Sequence, residues 1–329
     1  MKSLDIKLKK ISEGNFQPQD FIIADAKDAD MGGGRAAPGF KRDVEGTSLN
    51  EFSSFQEYLD KMQKMTESEL VDIMLMSASS AERLVKKEVF KNNKVTPAIR
   101  LNDTSCIWGI RHGQYDKDKS RHFATSQLRH AKELVDLGLY SMTFNKDVDL
   151  DIAMLNAYRN FRDEAEKINM RHFLEVFNSK LLKDLSVPQM GEYINDCILK
   201  SLAGQVSKEK PLFLKIAFNG AKAMEELSSY DPQNLIVGIL GGGKGTTRDC
   251  FELVKQAYKY GARVALFGRK INLSENQELI VSVMRKVVTN EIQPEEGVKF
   301  YHDSLIKINI KPDRKLAEDI LLTDPILKN

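Results

Sequence analysis

Pro211-Leu-Phe-Leu-Lys-Ile-Ala-Phe218 is an apolar run that a single lysine, Lys215, interrupts. Two further apolar runs follow it and end in glycine: Leu235-Ile-Val-Gly-Ile-Leu-Gly-Gly-Gly243, and Arg263-Val-Ala-Leu-Phe-Gly268, which Arg269 follows. Short runs rich in apolar, β-branched and aromatic residues are typical of buried strands. This part of the chain therefore predicts three consecutive strands, of which one carries a lysine and two end in glycine.

Comparable runs recur along the chain with helical stretches between them, which is the pattern of a parallel sheet built from βα units. The candidate strands are Phe21–Lys27, Val71–Ser77, Thr96–Leu101, Leu139–Asn145, His172–Phe177, Pro211–Phe218, Leu235–Leu240 and Arg263–Phe267. Eight strands are the number that a closed (β/α)8 barrel requires, so we predict an α/β protein with a single TIM-barrel domain. A doubly wound open sheet is the competing architecture, but it usually has fewer strands.

Helices are predicted at Ala81–Asn92, Ala124–Leu137, Asp151–Lys167 and Thr247–Tyr260. The barrel is predicted to span residues 19–275, after an N-terminal extension over 1–18 and before C-terminal helices and a tail over 276–329 that pack on it. Two connections, Ala29–Phe40 and Asn102–Phe123, are longer than ordinary βα loops, and we expect them to cover the active site.

The composition argues against several classes of function. Lysine and arginine number 49 against 47 acidic residues, a net charge of +2, so no nucleic-acid partner is expected. Cys106, Cys197 and Cys250 lack metal-ligand spacing, and their odd number favours a reducing compartment. The N-terminal residues lack the apolar core of a signal peptide, and no stretch approaches a membrane-spanning length. We therefore expect a cytoplasmic protein with no membrane partner.

Lys215 is the main candidate for a chemical role. Alternate side chains of a strand share a face, so Lys215 lies on the same side as Phe213 and Ala217. If that side is the barrel interior, the lysine is desolvated, and a desolvated amine can attack a carbonyl. The alternative is a lysine that points outward and extends past a helix to solvent.

The glycines that end the next two strands predict a phosphate site. Gly241-Gly242-Gly243 ends the seventh candidate strand, and Gly268-Arg269 ends the eighth. In barrels the loops after these strands often bind phosphate through backbone N–H groups and a helix N-terminus.

The same segment also matches part of another phosphate motif. Gly238 to Lys244 satisfies the G-x-x-x-x-G-K part of a P-loop, but Gly245 stands where Ser or Thr would hold magnesium, and Thr246 is displaced by one. A nucleotide hydrolase that uses Gly238–Lys244 is therefore a secondary interpretation.

Together these segments resemble the class I, Schiff-base-forming aldolases of the archaeal-type fructose-bisphosphate group, which are related to deoxyribose-phosphate and tagatose-bisphosphate aldolases. The resemblance is clearest from Pro211 to Ile271 and implies that Lys215 forms the Schiff base. It also implies a substrate phosphate held by Gly241, Gly242, Gly243, Gly268 and Arg269.

The resemblance extends to two polar residues of earlier strands. Asp25 matches an aspartate that faces the pocket from the first strand, and Arg100 matches an arginine of the third. Asp25 shares strand parity with Lys27, and Arg100 with Asn102, so each pair could face inward together. A carboxylate near the lysine can transfer protons while the imine forms. The alternative for Asp25 and Arg100 is a buried structural ion pair.

The fourth strand departs from the family pattern. Related aldolases carry a proton-transfer tyrosine there, but Tyr140 is shifted by one position, and such a shift reverses the face of a strand residue. The acid/base is therefore absent or replaced. Glu175 on the fifth strand is the nearest carboxylate candidate, although an outward salt bridge would explain it equally well.

The connection after the third strand carries more polar residues. Asn102, Asp103, Arg111 and His112 could bind a second phosphate or a carboxylate of the substrate. The interpretation that we prefer is a structured lid with Trp108 packed beneath it. The other histidines lack ligand spacing, so we expect neither a metal nor an organic cofactor.

The predicted reaction is reversible aldol cleavage of a phosphorylated ketose or related keto compound. The alternatives are a barrel that keeps the phosphate site but has lost this chemistry, and the nucleotide hydrolase. The resemblance also suggests a homo-oligomer, although no interface motif in the sequence supports one independently.

Overall fold

A computed structural model describes residues 1–328, which form a closed barrel of eight parallel strands. In chain order the strands are β1 (Ile22–Lys27), β2 (Ile73–Met76), β3 (Thr96–Arg100), β4 (Leu137–Thr143), β5 (Arg171–Phe177), β6 (Leu214–Ile216), β7 (Gly238–Leu240) and β8 (Val264–Phe267). Each strand pairs with the next along the chain, and β8 closes the barrel by pairing with β1. The (β/α)8 fold is confirmed, and an open doubly wound sheet is excluded.

Helices surround the barrel and alternate with its strands. The longer ones are Ser3–Ser12, Phe55–Glu67, Ala78–Lys86, Leu128–Leu134, Val148–Lys167, Val187–Ala203, Ala221–Tyr230, Thr247–Lys259, Gln277–Val288 and Pro294–Lys307. Shorter helices are Ala29–Gly33, Arg269–Asn272 and Leu316–Asp319. Within residues 1–328, no helix combines the length and the apolar character needed to cross a membrane.

The sheet separates two apolar cores. The inner core fills the barrel with alternate strand residues, for example Ile22 and Ala24 of β1, and helix Ser3–Ser12 adds Leu4 and Ile11 to it. The outer core joins the other strand residues to the helices. Because both faces of each strand are buried, the strands are nearly continuous apolar runs instead of alternating patterns.

The elements immediately before and at the start of β4 have other ends than those predicted. The helix predicted at Ala124–Leu137 is restricted to Leu128–Leu134, and β4 begins at Leu137, two residues earlier than the predicted start. Leu137 pairs with Ala98 and Arg171, one on each neighbouring strand. Pairing within the barrel therefore overrides the local helix propensity of this segment.

The C-terminal residues pack on the outside of the barrel. Gln277–Val288 is the helix that follows β8, beyond the predicted barrel end at residue 275, and it packs with Pro294–Lys307 against Thr247–Lys259. Further along, the Asp319 carboxylate accepts a hydrogen bond of 2.9 Å from the backbone N–H of Thr247. The tail is thus attached to the start of the helix that follows β7.

Replacement of Leu4 by alanine tests whether the N-terminal helix is part of the barrel core. Leu4 is fully buried in the inner core, so Leu4→Ala should lower the free energy of unfolding by about 2–5 kcal/mol, as measured by urea denaturation. Ile6 lies on the same helix but is 42% exposed, so Ile6→Ala should cost less than about 0.5 kcal/mol. Equal effects of the two variants would contradict the packing.

Candidate active site

Lys215 lies inside the barrel on β6. Phe213, which has the same parity, belongs to the inner core and stacks on Phe173 with ring centroids 4.6 Å apart. Lys215 Nζ lies 2.7 Å from Glu175 Oε1, and the two side chains are only 6% and 2% exposed. The two residues are direct partners in the β5–β6 ladder, so the strand register sets this contact. Neither side chain points outward.

Arg100 connects this pair to carboxylates at the ends of β1 and β3. Its Nη1 donates to Asp28 Oδ2 at 2.8 Å, and its Nη2 lies 3.1 Å from Ser141 Oγ and 3.2 Å from Asp103 Oδ1. Ser141 in turn donates to Glu175 Oε2 at 2.8 Å. Because Nε donates to a backbone carbonyl at 3.0 Å, every guanidinium nitrogen has a protein partner. Arg100 organises the cluster and is not a free cation for substrate.

Burial and charge compete within the cluster. Burial would raise the pKa of the Asp28 carboxyl, but the charges of Lys215 and Arg100 outweigh burial and hold that pKa below its ordinary value. Burial prevails at Asp103, whose pKa rises to about 6 despite the nearby guanidinium. Burial would lower the pKa of Arg100, but Glu175, Asp28 and Asp103 raise it above its ordinary value. Arg100 is therefore charged at any physiological pH.

Asp25 lies apart from this cluster, on the outer face of β1. Its ladder partners, Met74 and Phe267, both belong to the outer core. Its carboxylate accepts hydrogen bonds of 2.6 and 2.8 Å from Lys27 Nζ, and both side chains are fully buried. The expectation that Asp25 and Lys27 face the pocket is therefore corrected. The aspartate that reaches the cluster is Asp28, the first residue after the strand.

The segment from Asp103 to Phe123 covers the mouth of the barrel as a lid. Its two ends, Asp103–Thr104 and His122–Phe123, pair as short antiparallel strands. Between them Cys106 Sγ lies 3.4 Å from Thr143 Oγ1 at the end of β4. Trp108 packs edge-on against the Phe123 ring at 4.6 Å. This arrangement agrees with the interpretation of the segment as a structured lid.

Three contacts hold the lid to neighbouring loops. The backbone N–H of Gly109 donates to the Gly32 carbonyl at 2.8 Å, which joins the lid to the loop after β1. Salt bridges of 2.7 Å between Lys119 and Asp147, and of 2.9 Å between Lys180 and Asp116, join it to the loops after β4 and β5. The lid therefore spans much of the mouth.

Three of the residues that the sequence proposed for substrate binding either bond to other parts of the protein or lie on its exposed surface. The Asn102 side chain donates to the Ser141 carbonyl at 2.8 Å and accepts from its N–H at 2.6 Å, so it joins β3 to β4. Arg111 is exposed and lies 5.7 Å from the Phe52 ring centroid. His112 is exposed, with φ of 67°. The structure does not bring Arg111 or His112 to the Lys215 cluster.

The glycines after β7 and β8 lie side by side, because these two strands pair up to their ends. A Cβ at Gly241 would lie 2.9 Å from the Phe267 ring, and a Cβ at Gly268 would lie 2.7 Å from the Ala26 carbonyl oxygen. Gly242 has a φ of +64°, which favours glycine. The loop therefore exposes backbone that side chains would otherwise cover.

Two cations accompany these glycines. Arg269 follows Gly268 and is exposed, and its side chain makes no hydrogen bond or ion pair with any other residue of the described chain. Lys270 is buried, and its Nζ lies 3.3 Å from the Lys244 carbonyl oxygen. Arg269 therefore remains available to an anion, whereas Lys270 supports the glycine loop.

Lys244 is not arranged as a P-loop lysine. Its Nζ lies 2.7 Å from the carboxylate of Asp313 in the C-terminal tail. The helix that starts at Thr247 has its N-terminus occupied by the Asp319 carboxylate, where a P-loop would hold phosphate. These contacts argue against the nucleotide-hydrolase interpretation.

β4 presents Ser141 to the interior and Tyr140 to the outside. Ser141 is the ladder partner of Glu175. Tyr140 packs against Phe161 with ring centroids 4.5 Å apart, and burial raises its pKa. The tyrosine therefore lies on the opposite side of the sheet from Lys215, and the groups that contact Lys215 inside the barrel are carboxylates.

Asp28, Ser141 and Lys270 were not among the residues proposed from sequence. The sequence does contain a pattern that could have indicated Asp28. It shares strand parity with Ala24 and Ala26, which are small residues that face the barrel interior. Among residues 1–328, no three His, Cys, Asp or Glu side chains lie together in a way that could hold a metal ion.

Solved structures similar to this chain include several aldolases. A Schiff-base-forming fructose-1,6-bisphosphate aldolase has a TM-score of 0.61 at 15% identity, over 87% of this chain and 99% of that one. An archaeal fructose 1,6-bisphosphate aldolase has a TM-score of 0.59 at 14% identity over the same shares. The fructose-bisphosphate aldolase of Slackia heliotrinireducens DSM 20476 has a TM-score of 0.62 at 10% identity, over 92% of this chain and 90% of that one.

The chain has the fold of the class I aldolases that its sequence resembles. No family model matches the chain, and no curated protein sequence matches it. At identities of 10–15% the likeness establishes the barrel and its strand order, and it leaves the chemistry to be argued from the residues of this site.

The stability difference between the wild type and Asp103→Asn should depend on pH. The folded state keeps the Asp103 proton up to about pH 6, whereas the unfolded chain releases it near pH 4. The wild type should therefore lose stability relative to the variant as the pH rises between these values, by up to about 3 kcal/mol. Urea unfolding of both proteins at about pH 4 and pH 7 measures the difference. A difference that stays constant would contradict the burial of this carboxyl.

Proposed function

We propose that the protein is a class I aldolase-like lyase in which Lys215 forms a Schiff base with the carbonyl of a phosphorylated ketose or related keto compound. The observation that carries this proposal is the buried contact of 2.7 Å between Lys215 Nζ and Glu175 Oε1 inside the barrel. Imine chemistry needs an amine nucleophile and a neighbouring group that takes and returns protons, and this pair supplies both. The fold shared with Schiff-base-forming aldolases supports the same assignment.

Imine formation would use Lys215 and Glu175 together. Glu175 accepts a proton from the Lys215 ammonium, the neutral amine attacks the substrate carbonyl carbon, and transfer of a proton from nitrogen to oxygen gives a carbinolamine. Glu175 then protonates the carbinolamine hydroxyl, which leaves as water, and a protonated imine remains on Lys215. The positive charge of the imine lies beside the Glu175 carboxylate, which stabilises it.

Cleavage would follow from proton removal at the substrate hydroxyl two carbons from the imine carbon. We assign the role of the base that removes this proton to Asp28, because the charges of Lys215 and Arg100 keep its carboxyl ionised. As the hydroxyl loses its proton, the adjacent carbon–carbon bond breaks and its electrons form an enamine on Lys215. An aldehyde leaves, the enamine carbon is protonated, and water hydrolyses the imine. The iminium is the electron sink, so this route does not require a metal.

The substrate phosphate would bind at the loops after β7 and β8. Gly242 and Gly243 offer exposed backbone beside the half-buried Gly241, Gly268 follows the neighbouring strand, and the guanidinium of Arg269 has no partner within the described chain. Backbone N–H groups together with a guanidinium are the usual ligands of a phosphate. The strands that these loops follow, β7 and β8, lie one and two positions around the barrel from β6, which carries Lys215.

A barrel that binds a phosphosugar but no longer cleaves it is the second candidate. One observation favours it, namely that Ser141 takes the inner position on β4 where related aldolases use a tyrosine. The buried Lys215–Glu175 pair opposes it, because a binding protein has no need for a desolvated amine beside a carboxylate.

Borohydride reduction tests the Schiff base. The protein is incubated with a panel of keto and aldehyde phosphates that includes dihydroxyacetone phosphate and fructose 1,6-bisphosphate, and borohydride is then added. We expect a stable adduct on the peptide that contains Lys215, as mapped by mass spectrometry. Lys215→Met should abolish the adduct and lower turnover by at least about 10³-fold.

Lys244→Met is the matched control, because Lys244 lies on the glycine loop and pairs with Asp313. It should keep the adduct on Lys215. The aldolase proposal fails if no compound of the panel labels Lys215, and binding of a phosphosugar without any adduct would instead favour the second candidate.

Arg269→Met tests the phosphate site. Because a hydrogen bond to a charged group contributes about 1.5–3 kcal/mol, the loss of this guanidinium should lower kcat/KM for a phosphorylated substrate by about 10- to 100-fold, chiefly through KM. Arg111→Met is the control, since Arg111 is also exposed but lies against Phe52 on the lid. Steady-state kinetics should show a change of less than about two-fold for it. A larger effect of Arg111 than of Arg269 would move the phosphate site to the lid.

A further inference from the structure

A cavity lies on the outside of the barrel, between the outer faces of β3 and β4 and the helix Val148–Lys167. Its volume is about 800 Å³. It exists because the helix that follows β3 is short, Leu128–Leu134, and leaves part of the sheet uncovered. We call this cavity the Tyr140 groove. It is separated from Lys215 by the sheet itself.

The groove is lined by flat and apolar side chains. Tyr140 and Phe161 form its floor, with ring centroids 4.5 Å apart and ring planes inclined by 34°. Leu101, Leu128 and Ile168 add aliphatic surface around these rings. Such a surface favours a planar aromatic ring, which can stack on one floor ring and meet the edge of the other.

The hydroxyl of Tyr140 lacks a partner within residues 1–328, although the residue is only 4% exposed. The neighbouring Tyr158 shows the usual arrangement, since its hydroxyl lies 2.8 Å from His172 Nε2. The Tyr140 hydroxyl makes no hydrogen bond within the described chain, so it can donate to or accept from a polar atom in the groove. The groove therefore offers a hydrogen bond at its floor.

The rim of the groove carries an excess of positive charge. Arg129 and Lys167 line it as exposed cations, and Glu164 is the single carboxylate among the lining residues. Arg129 bonds only to the side chain of Gln127, at 3.1 and 3.3 Å, and Lys167 has no side-chain partner in the described chain. An anionic group at the rim would meet two available cations.

We propose that the Tyr140 groove binds a small aromatic carboxylate. The ring lies on Tyr140 and Phe161, the Tyr140 hydroxyl bonds to a polar atom of the ligand, and the carboxylate points to Arg129 and Lys167. This site is independent of the proposed aldolase function, because none of these four residues touches the Lys215 cluster.

The groove also borders the base of the lid. Phe123 lines the groove and lies at the end of the lid, where its ring packs against Trp108 at 4.6 Å. Trp108 is the only tryptophan of the chain. A ligand in the groove should therefore change the fluorescence of Trp108, which supplies a signal that does not depend on enzymatic turnover.

Titration of the full chain with 3-phenylpropionate tests the proposal, with isothermal calorimetry and Trp108 fluorescence as readouts. We expect saturable binding at millimolar concentrations or below. The analogues 3-phenylpropan-1-ol, which lacks the charge, and 3-cyclohexylpropionate, which lacks the planar ring, should each bind at least about three-fold more weakly. No saturable binding of 3-phenylpropionate, or equal binding of all three compounds, would overturn the assignment.

Two alanines of the helix Val148–Lys167 give a matched pair of variants. Ala157 lines the groove, so Ala157→Phe should fill it and weaken binding at least about ten-fold. Ala153 is exposed on the same helix and lies outside the groove, so Ala153→Phe should change binding less than two-fold. Equal affinities of the two variants would overturn the location.

Two further variants separate the groove from the barrel interior. Tyr140→Phe keeps the ring and removes only the hydroxyl, so it should leave the binding of 3-phenylpropionate unchanged and weaken that of 3-(4-hydroxyphenyl)propionate, which carries a second polar atom, about five-fold, in line with the loss of one hydrogen bond. Lys215→Met should bind 3-phenylpropionate as the wild type does. Loss of binding in Lys215→Met would place the ligand in the barrel interior and overturn the proposal, whatever the outcome of the borohydride experiment.

Discussion

Arg100 is the residue on which the charge distribution inside this barrel depends. Three carboxylates, those of Asp28, Asp103 and Glu175, lie within 3.5 Å of its guanidinium. Ionised carboxylates are costly to bury unless they are paired. With Arg100 in place, one of them can lie 2.7 Å from Lys215, and the charged groups of the interior are satisfied without water. The strand register completes the arrangement, because Glu175 is the ladder partner of both Ser141 and Lys215.

The strands could be predicted from the sequence because a parallel barrel makes each of them a short apolar run between polar connections. Which strand side chains face the barrel interior and which face the helices could not be predicted equally well. In β1 both faces are buried, so the alternation that normally separates inside from outside is missing. Alternation alone therefore did not exclude Asp25 from the interior, although the small residues Ala24 and Ala26 favour Asp28, and the closed barrel shows that Asp25 pairs with Lys27 on the outer face. On β4, by contrast, Tyr140 is shifted by one position from the tyrosine of related aldolases. Because such a shift reverses the face of a strand residue, the outward position of Tyr140 could be inferred.

The contacts that the sequence motifs did not predict are mostly made with residues distant in the sequence. Lys244 follows the glycines in a pattern that resembles a P-loop, but its partner Asp313 comes from the C-terminal tail. The same carboxylate accepts hydrogen bonds of 2.7 and 2.8 Å from Arg42, which lies near the loop after β1. Lys244 and the hairpin Phe40–Phe52 are thus joined by a residue that no local motif indicates. Likewise, Arg111 and His112 are polar and close in sequence to Arg100, yet the course of the lid carries them to its exposed side.

The attachment of the lid has a kinetic consequence. Its two salt bridges to neighbouring loops, Lys119–Asp147 and Lys180–Asp116, involve largely exposed lysines, and such pairs contribute at most about 1 kcal/mol each. Dissolved salt screens them, whereas it leaves the packing of Trp108 against Phe123 intact. The lid is therefore held both by ionic contacts that salt weakens and by an apolar contact that salt does not weaken. Higher ionic strength should therefore weaken the hold of the neighbouring loops on the lid and make its local opening more frequent, while the buried contacts of Lys215 stay unchanged.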